Sequence, residues 1–221
     1  MHITTGKYKG RVIRMPKGIR PTQEKVRKAF FDILGDIEGL SFLELFSGSG
    51  AVGFEAVSRG VKELILVEVD CGCRLALKKN IESLGLKTCD LYPQQADVAI
   101  RRLHREKRNF DIIFLDPPYY KGSSSCHVPK RLAGGSGLRG MTGESLSKKT
   151  LQMLEAYDIL APNGFVVVQH FKKDDLPEAL GDLTLLKRST YGDTVLSFYR
   201  KGNPNFQIPI TETNHSLEFG F

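Results

Sequence analysis

The chain has no long apolar run: nothing in its 221 residues approaches the roughly 18 consecutive apolar positions that a membrane span requires. It also lacks an apolar block behind a basic start, so a secretory leader is not expected. Cysteine is scarce. Cys71, Cys73, Cys89 and Cys126 form no CxxC pair and no zinc-like array, so no metal is expected and free thiols in a reducing cytoplasm are the economical reading. Acid is nearly missing from the first 28 residues, where Lys7, Lys9, Arg11, Arg14, Lys17, Arg20, Lys25, Arg27 and Lys28 face Glu24 alone. That local balance of +8 exceeds the whole chain's +7, so residues 29–221 sum to −1.

A cluster of one sign attracts polyanions and releases their counterions, which makes nucleic acid one expected partner. A solvated face or a basic tail is the other reading. What remains is ordinary: 41% hydrophobic and 26% charged residues describe a soluble globular chain with a core of single-domain size.

The pattern along the chain is mostly that of an α/β fold. His2–Thr5 and Tyr8–Met15 read as a small β unit, broken by Pro16, Gly18 and Pro21. Thr22 is a candidate cap for a helix with Val26, Ala29, Phe30, Ile33 and Leu34 on one face, closed by Gly35 and Gly39. Strands are predicted at Phe42–Phe46, Leu64–Val69, Thr88–Tyr92, Phe110–Leu115 and Phe165–His170. Helices alternate with them at Ala51–Arg59, Cys71–Leu84, Asp97–Arg105 and about Leu151–Leu160, the last stopped by Ala-Pro-Asn-Gly. Short apolar strands alternating with helices imply a parallel sheet covered on both faces. A helix near Leu176–Leu180 then precedes Leu183–Arg188 and Thr194–Arg200, a hairpin around Tyr191-Gly192-Asp193. Lys121–Thr150 holds six Gly, six Ser and six basic residues against Glu144, a lid, a binding loop or disorder. The expected organisation is a basic β extension over 1–21, a catalytic domain over 22–202 with an insertion at 121–150, and a tail over 203–221.

Two motifs carry chemistry. Glu44-Leu-Phe46-Ser-Gly48-Ser49-Gly50-Ala-Val-Gly53 joins the first strand to its helix; glycines let backbone pass close under a ligand, and a helix N-terminus offers unpaired N–H groups. Glu68 follows Gly48 by 20 residues, which formally fits a dinucleotide fingerprint. Glu44 argues against that fit: its carboxylate would repel a pyrophosphate but suits a ligand bearing an ammonium group, such as the methionine part of S-adenosylmethionine. Glu68 can accept both ribose hydroxyl hydrogens, or be a solvated strand-end acid. Asp97 can serve the adenine amine or cap the next helix. The second motif is Asp116-Pro117-Pro118-Tyr119, directly after the fourth strand. A nucleobase amine is a poor nucleophile because its lone pair is delocalised into the ring. The Asp116 carboxylate and the Pro117 carbonyl can hold its hydrogens and favour a pyramidal nitrogen, prolines fix the carbonyl's direction, and Tyr119 offers a face to a flipped base.

With these residues the chain resembles the bacterial RsmD-like family, S-adenosylmethionine-dependent methyltransferases acting on guanine N2 of small-subunit (16S) ribosomal RNA. The matching blocks are Gly6-Lys-Tyr-Lys-Gly-Arg11, Arg20-Pro-Thr22 with Val26-Arg27, Leu45–Gly53, Val67-Glu68 and Asp116–Tyr119, in order over about residues 3–200. The resemblance implies a Rossmann-like methyltransferase fold with a seven-stranded, mostly parallel sheet ending in an antiparallel hairpin. It implies cofactor contacts at Glu44, Phe46, Gly48, Ser49, Gly50, Gly53, Glu68 and Asp97. It sets Asp116, Pro117 and Tyr119 at the acceptor amine, and Lys7, Lys9, Arg11, Arg14 and Arg20 on RNA. A cytoplasmic monomer acting on ribosomal RNA or the assembling small subunit, without metal, follows. Glu44 stands where the family usually has Asp, and 121–150 is longer than the usual connection. The rival readings are an adenine-N6 or other amine methyltransferase, a non-enzymatic RNA-binding assembly factor, and a nicotinamide oxidoreductase.

Overall fold

Strands and helices wind alternately into one sheet between two helical layers. The computed structural model describes residues 1–16, 18, 22–118 and 145–202. β1 (Ser41–Leu45), β2 (Glu63–Val67), β3 (Cys89–Tyr92), β4 (Phe110–Leu115) and β5 (Leu160–Phe171) pair in parallel. β6 (Ala179–Leu180), β7 (Leu183–Tyr191) and β8 (Thr194–Lys201) complete the sheet with antiparallel pairings. The spatial order is β3-β2-β1-β4-β5-β8-β7-β6. The chain leaves β1 toward β2 on one side and returns beside β1 as β4 on the other. Such a reversal opens a crevice beyond the carboxyl ends of these two strands.

The period of two along each strand sorts residues between the faces. α1 (Glu24–Leu34), α2 (Ala51–Ser58) and α3 (Cys71–Leu84) cover one face, where Phe30, Phe31, Phe54 and Leu77 pack on Phe42, Phe114 and Val167. α4 (Ala96–Arg105) and α5 (Leu146–Tyr157) cover the other, burying Ile100, Leu103, Leu151 and Leu154 against Leu43, Leu45, Ile113 and Val168. Residues two further along from Phe42, Phe114 and Val167 are Glu44, Asp116 and Gln169. Polar side chains therefore continue the α1–α3 side of the sheet toward its carboxyl edge.

Several expectations need correction. The sheet has eight strands rather than seven: the predicted helix near Leu176–Leu180 is absent, Pro177 interrupts that stretch, and Ala179–Leu180 pairs with β7 before a turn at Gly181, φ +54°. A two-residue strand is too short to show a period. The predicted helix over Leu151–Leu160 begins earlier and ends earlier, because Ser145 caps it by accepting from the Lys148 N–H at 3.3 Å. Ala161-Pro-Asn-Gly164 does not stop that helix; it lies inside β5 where the pairing with β4 shifts register, with Asn163 at φ +63°. Gln23, not Thr22, precedes α1, and no side chain caps it. The β unit at the N-terminus is reduced to one bridge, His2 with Val12.

That N-terminal segment is nevertheless firmly docked. Ile3 and Ile13 are buried in the core beneath α1 and α3. Buried Glu55 of α2 accepts from the backbone and hydroxyl of both Thr4 and Thr5, at 2.6–2.9 Å, while Arg27 lies 3.6 Å and Arg59 3.7 Å from its carboxylate. Gly6, at φ +75°, runs against the C-terminal end of α2, where a Cβ would stand 1.8 Å from the Ser58 carbonyl oxygen. Asn80 of α3 grips Arg14 by its backbone, accepting from N–H at 2.9 Å and donating to the carbonyl at 3.0 Å.

Candidate active site

The turn after β1 is built from unusual backbone. Phe46, Gly48 and Gly50 all have positive φ, at 59°, 51° and 73°. Phe46 is the costly member, since a side chain rarely occupies that region; strain of this kind collects where structure around it over-determines the backbone. Ser47 supplies part of that determination: its N–H donates to the Val67 carbonyl at 3.0 Å, its hydroxyl accepts from the Val67 N–H at 3.0 Å, and the hydroxyl donates to the Glu44 carbonyl at 2.8 Å. The turn is thus zipped to the end of β2. Gly50 precedes α2, and a Cβ there would sit 2.6 Å from both Phe54 and Leu77. Ser49 is buried in the turn.

Glu44 lies buried under α2, its Oε2 accepting the Gly53 N–H at 3.0 Å. A Cβ on Gly53 would approach that oxygen to 2.6 Å, so glycine is what permits the contact. Burial pushes the Glu44 carboxyl up to about 8; the Gly53 N–H opposes the shift, and the neighbouring charges of Asp116 and Glu68 add to it. No ion pair reaches Glu44 among the described residues. The carboxyl is therefore poised to ionise against an incoming cation. Glu68, at the end of β2, is not a solvated acid. Its two oxygens accept from the N–H groups of Gly48, at 2.7 Å, and Asp70, at 2.8 Å, so it joins the glycine turn to the second strand. Asp97 is not the cap of α4, which is preceded by Gln95; it sits in the first turn, half-exposed and paired with Arg101.

Asp116 follows β4 on the same side of the sheet, with Pro117 buried behind it. Its Oδ2 accepts from Nε2 of Gln169 at 2.7 Å, a bond between neighbouring strand ends. The structure brings both Glu68 and Asp116 within electrostatic reach of Glu44. Tyr119, Arg20 and most of the 121–150 insertion lie outside the described residues. Lys7, Lys9, Arg11 and Arg14 are all exposed on the docked N-terminal segment, Arg11 donating to the Ser83 carbonyl at 2.7 Å. Beside the end of β5, His170, Lys172, Lys173 and Arg188 border a polar recess of about 270 Å³. Sequence reasoning passed over Ser47, Glu55, Asn80 and Gln169. The available signal was a polar residue in an apolar pattern: Glu55 within Phe54–Val57, Asn80 in register with Leu77 and Leu84, Gln169 within Phe165–Phe171.

The family model described as Conserved hypothetical protein 95 matches residues 1–133 and 142–200. A Bacillus subtilis (strain 168) protein named YlbH, a candidate rRNA methyltransferase, is 32% identical over 91% of this chain and 99% of its own. The Ribosomal RNA small subunit methyltransferase D of Buchnera aphidicola subsp. Acyrthosiphon pisum is 30% identical over 80% of this chain and 81% of its own. The chain belongs to the RsmD-like family. Its RsmD-like fold is shared with a solved Escherichia coli protein titled as a candidate methyltransferase, yhhF, at TM-score 0.71, 24% identity, and coverage of 91% and 97% of the two chains. A more distant fold relative is the Thermus thermophilus 16S rRNA N2 G1207 methyltransferase, solved with AdoMet and guanosine. It aligns at TM-score 0.58 and 22% identity, over 83% of this chain and 44% of that one. The Rossmann-like methyltransferase architecture of the RsmD-like chain thus rests on sequence and fold together.

Proposed function

We propose that the protein transfers a methyl group from S-adenosylmethionine to the exocyclic N2 amine of a guanine in small-subunit ribosomal RNA. The observation that carries the reading is the placement of Asp116 and Pro117 at the carboxyl end of β4, on the same sheet side as Glu44 and beside the glycine turn. The residues fit the cofactor. Glu44 is a buried acid with no described cation beside it, suited to an ammonium group. Glu68 holds oxygens at the strand end where a ribose would lie. When bound, S-adenosylmethionine supplies an electrophilic sulfonium methyl.

The chain's own work is positioning and electrostatics. Asp116 and the Pro117 carbonyl accept the amine hydrogens and aim the nitrogen lone pair. Asp116 need not be a strong base, because methylation acidifies the amine and the proton can pass to water. Lys7, Lys9, Arg11 and Arg14 present an exposed basic surface for the RNA backbone. The supporting findings are the RsmD-like membership and the name of the Buchnera relative.

The test incubates native small-subunit RNA, free and in its particle, with the enzyme and labelled cofactor, followed by mass spectrometry of the nucleosides. Labelled N2-methylguanosine is expected. Label in N6-methyladenosine would move the substrate to adenine, and intact methylation in a deletion strain would remove the cellular assignment.

A further inference from the structure

Gln169 stands two residues before the end of β5, level with Asp116 and one residue beyond the paired Val168 and Leu115. Its Nε2 donates to Asp116 Oδ2 at 2.7 Å. A carboxylate can only accept, so the orientation of the amide is settled by its partner: nitrogen toward Asp116, oxygen away from it. The residue is 6% exposed, and its Oε1 is buried with no donor among the described residues. A buried acceptor left without a donor destabilises the fold. Here that acceptor shares a carbon with the nitrogen bonded to Asp116, so it lies within one amide group of the carboxylate assigned to the target amine.

We propose that Gln169 determines base specificity: Oε1 accepts the N1–H of the target guanine while Asp116, which the same amide orients, accepts from the adjoining N2 amine. The inference rests on the guanine-N2 reading and deepens it. On its Watson–Crick edge guanine carries two neighbouring donors, N1–H and N2–H, which two neighbouring acceptors match. Adenine carries its N6 amine beside an N1 lone pair, which would confront the lone pairs of Oε1. A flipped base is read on that edge, and a site with buried polar groups rejects a ligand that leaves them unpaired. The Asp-Pro-Pro-Tyr motif alone holds any exocyclic amine, so discrimination must come from a neighbour such as this one.

The test uses the full chain and small-subunit RNA in its particle, with the methylated position mapped first by nucleoside mass spectrometry. Reconstituted RNA carries guanine or 2-aminopurine there; the analogue keeps the C2 amine but lacks N1–H. The wild-type enzyme should prefer guanine by about 10-fold or more in kcat/KM. Gln169→Leu should erase that preference while cofactor Kd stays within about twofold, a change that loss of local packing would not produce. In Gln169→Glu the introduced carboxyl and Asp116 share one proton at low pH, the new carboxyl donating to Asp116 and still accepting N1–H. Activity should therefore be present at low pH and fall as pH rises, when the second carboxylate charge repels Asp116, a profile that Gln169→Leu lacks. Equal guanine preference in the wild type and Gln169→Leu, or a flat profile for Gln169→Glu, overturns the proposal. Absence of N2-methylguanosine from the wild-type reaction overturns the substrate reading, and with it this role for Gln169.

Discussion

Glu44 is an acid that the folded chain keeps from ionising. Its carboxyl rises from 4.5 to about 8 through burial, with Asp116 and Glu68 nearby. The folded state then holds the proton more tightly than the unfolded state, so this group's contribution falls as pH rises from 4.5 through about 8. Thermal melting of the cofactor-free protein should show Tm declining over that window, and Glu44→Gln should flatten the decline. A cationic ligand group reverses the preference and drives the proton out. Calorimetric titration with S-adenosylmethionine near pH 7 should therefore report proton release, measured in buffers of different ionisation enthalpy, and affinity should increase toward pH 8. The role proposed for Asp116 is complementary: Asp116→Ala should abolish methyl transfer while leaving cofactor Kd nearly unchanged, whereas unchanged turnover would remove Asp116 from the acceptor site.

The elements were legible in proportion to how far local pattern decided them. The helix over Cys71–Leu84 and the strand over Phe110–Leu115 match the expectation residue for residue, because an Asp70 cap, a Gly85 stop and a run apolar but for Asp111 are local facts. The start of α5 was hidden because Ser145 and Lys148 belong to a Gly/Ser-rich stretch whose composition outweighed the cap. Glu44, Glu68 and Asp116 could be picked from sequence, since they lie at or just beyond the carboxyl ends of apolar strands. The Gln169 contact could not, because it depends on which strand lies beside β4. Glu55 is the same kind of omission, and it anchors an element. Burial alone would raise its carboxyl; the Thr4 and Thr5 donors, with Arg27, outweigh that and hold it low. The stability it contributes is present above 4.5 and is lost as pH falls through the lower folded value. Glu55→Ala leaves Arg27 buried without its partner and should cost about 3–5 kcal/mol in chemical denaturation. Gly6→Ala should also lower Tm, since its Cβ meets backbone rather than a yielding side chain.

At the scale of the whole molecule, charge and catalysis are separated. The first 28 residues carry +8 and the 121–150 stretch +5, leaving −6 for the remainder. On the proposed reading, an acidic catalytic core with basic excursions would attract RNA while, among the described residues, no ion pair reaches Glu44. Neutralising Lys9, Arg11 and Arg14 should weaken RNA binding and flatten its dependence on salt, with cofactor affinity nearly unchanged. Equal salt slopes before and after would refute that division. The two regions nevertheless share a part. One end of α2 rises from the glycine turn at Gly50, and its other end, Ser58, carries the N-terminal segment. The helix is an eight-residue strut with a fixed phase. Inserting or deleting one residue within it would turn the basic segment by about 100° relative to the glycine turn. Its length is therefore a geometric standard for the enzyme, as constrained as the Gly53 and Glu55 it carries.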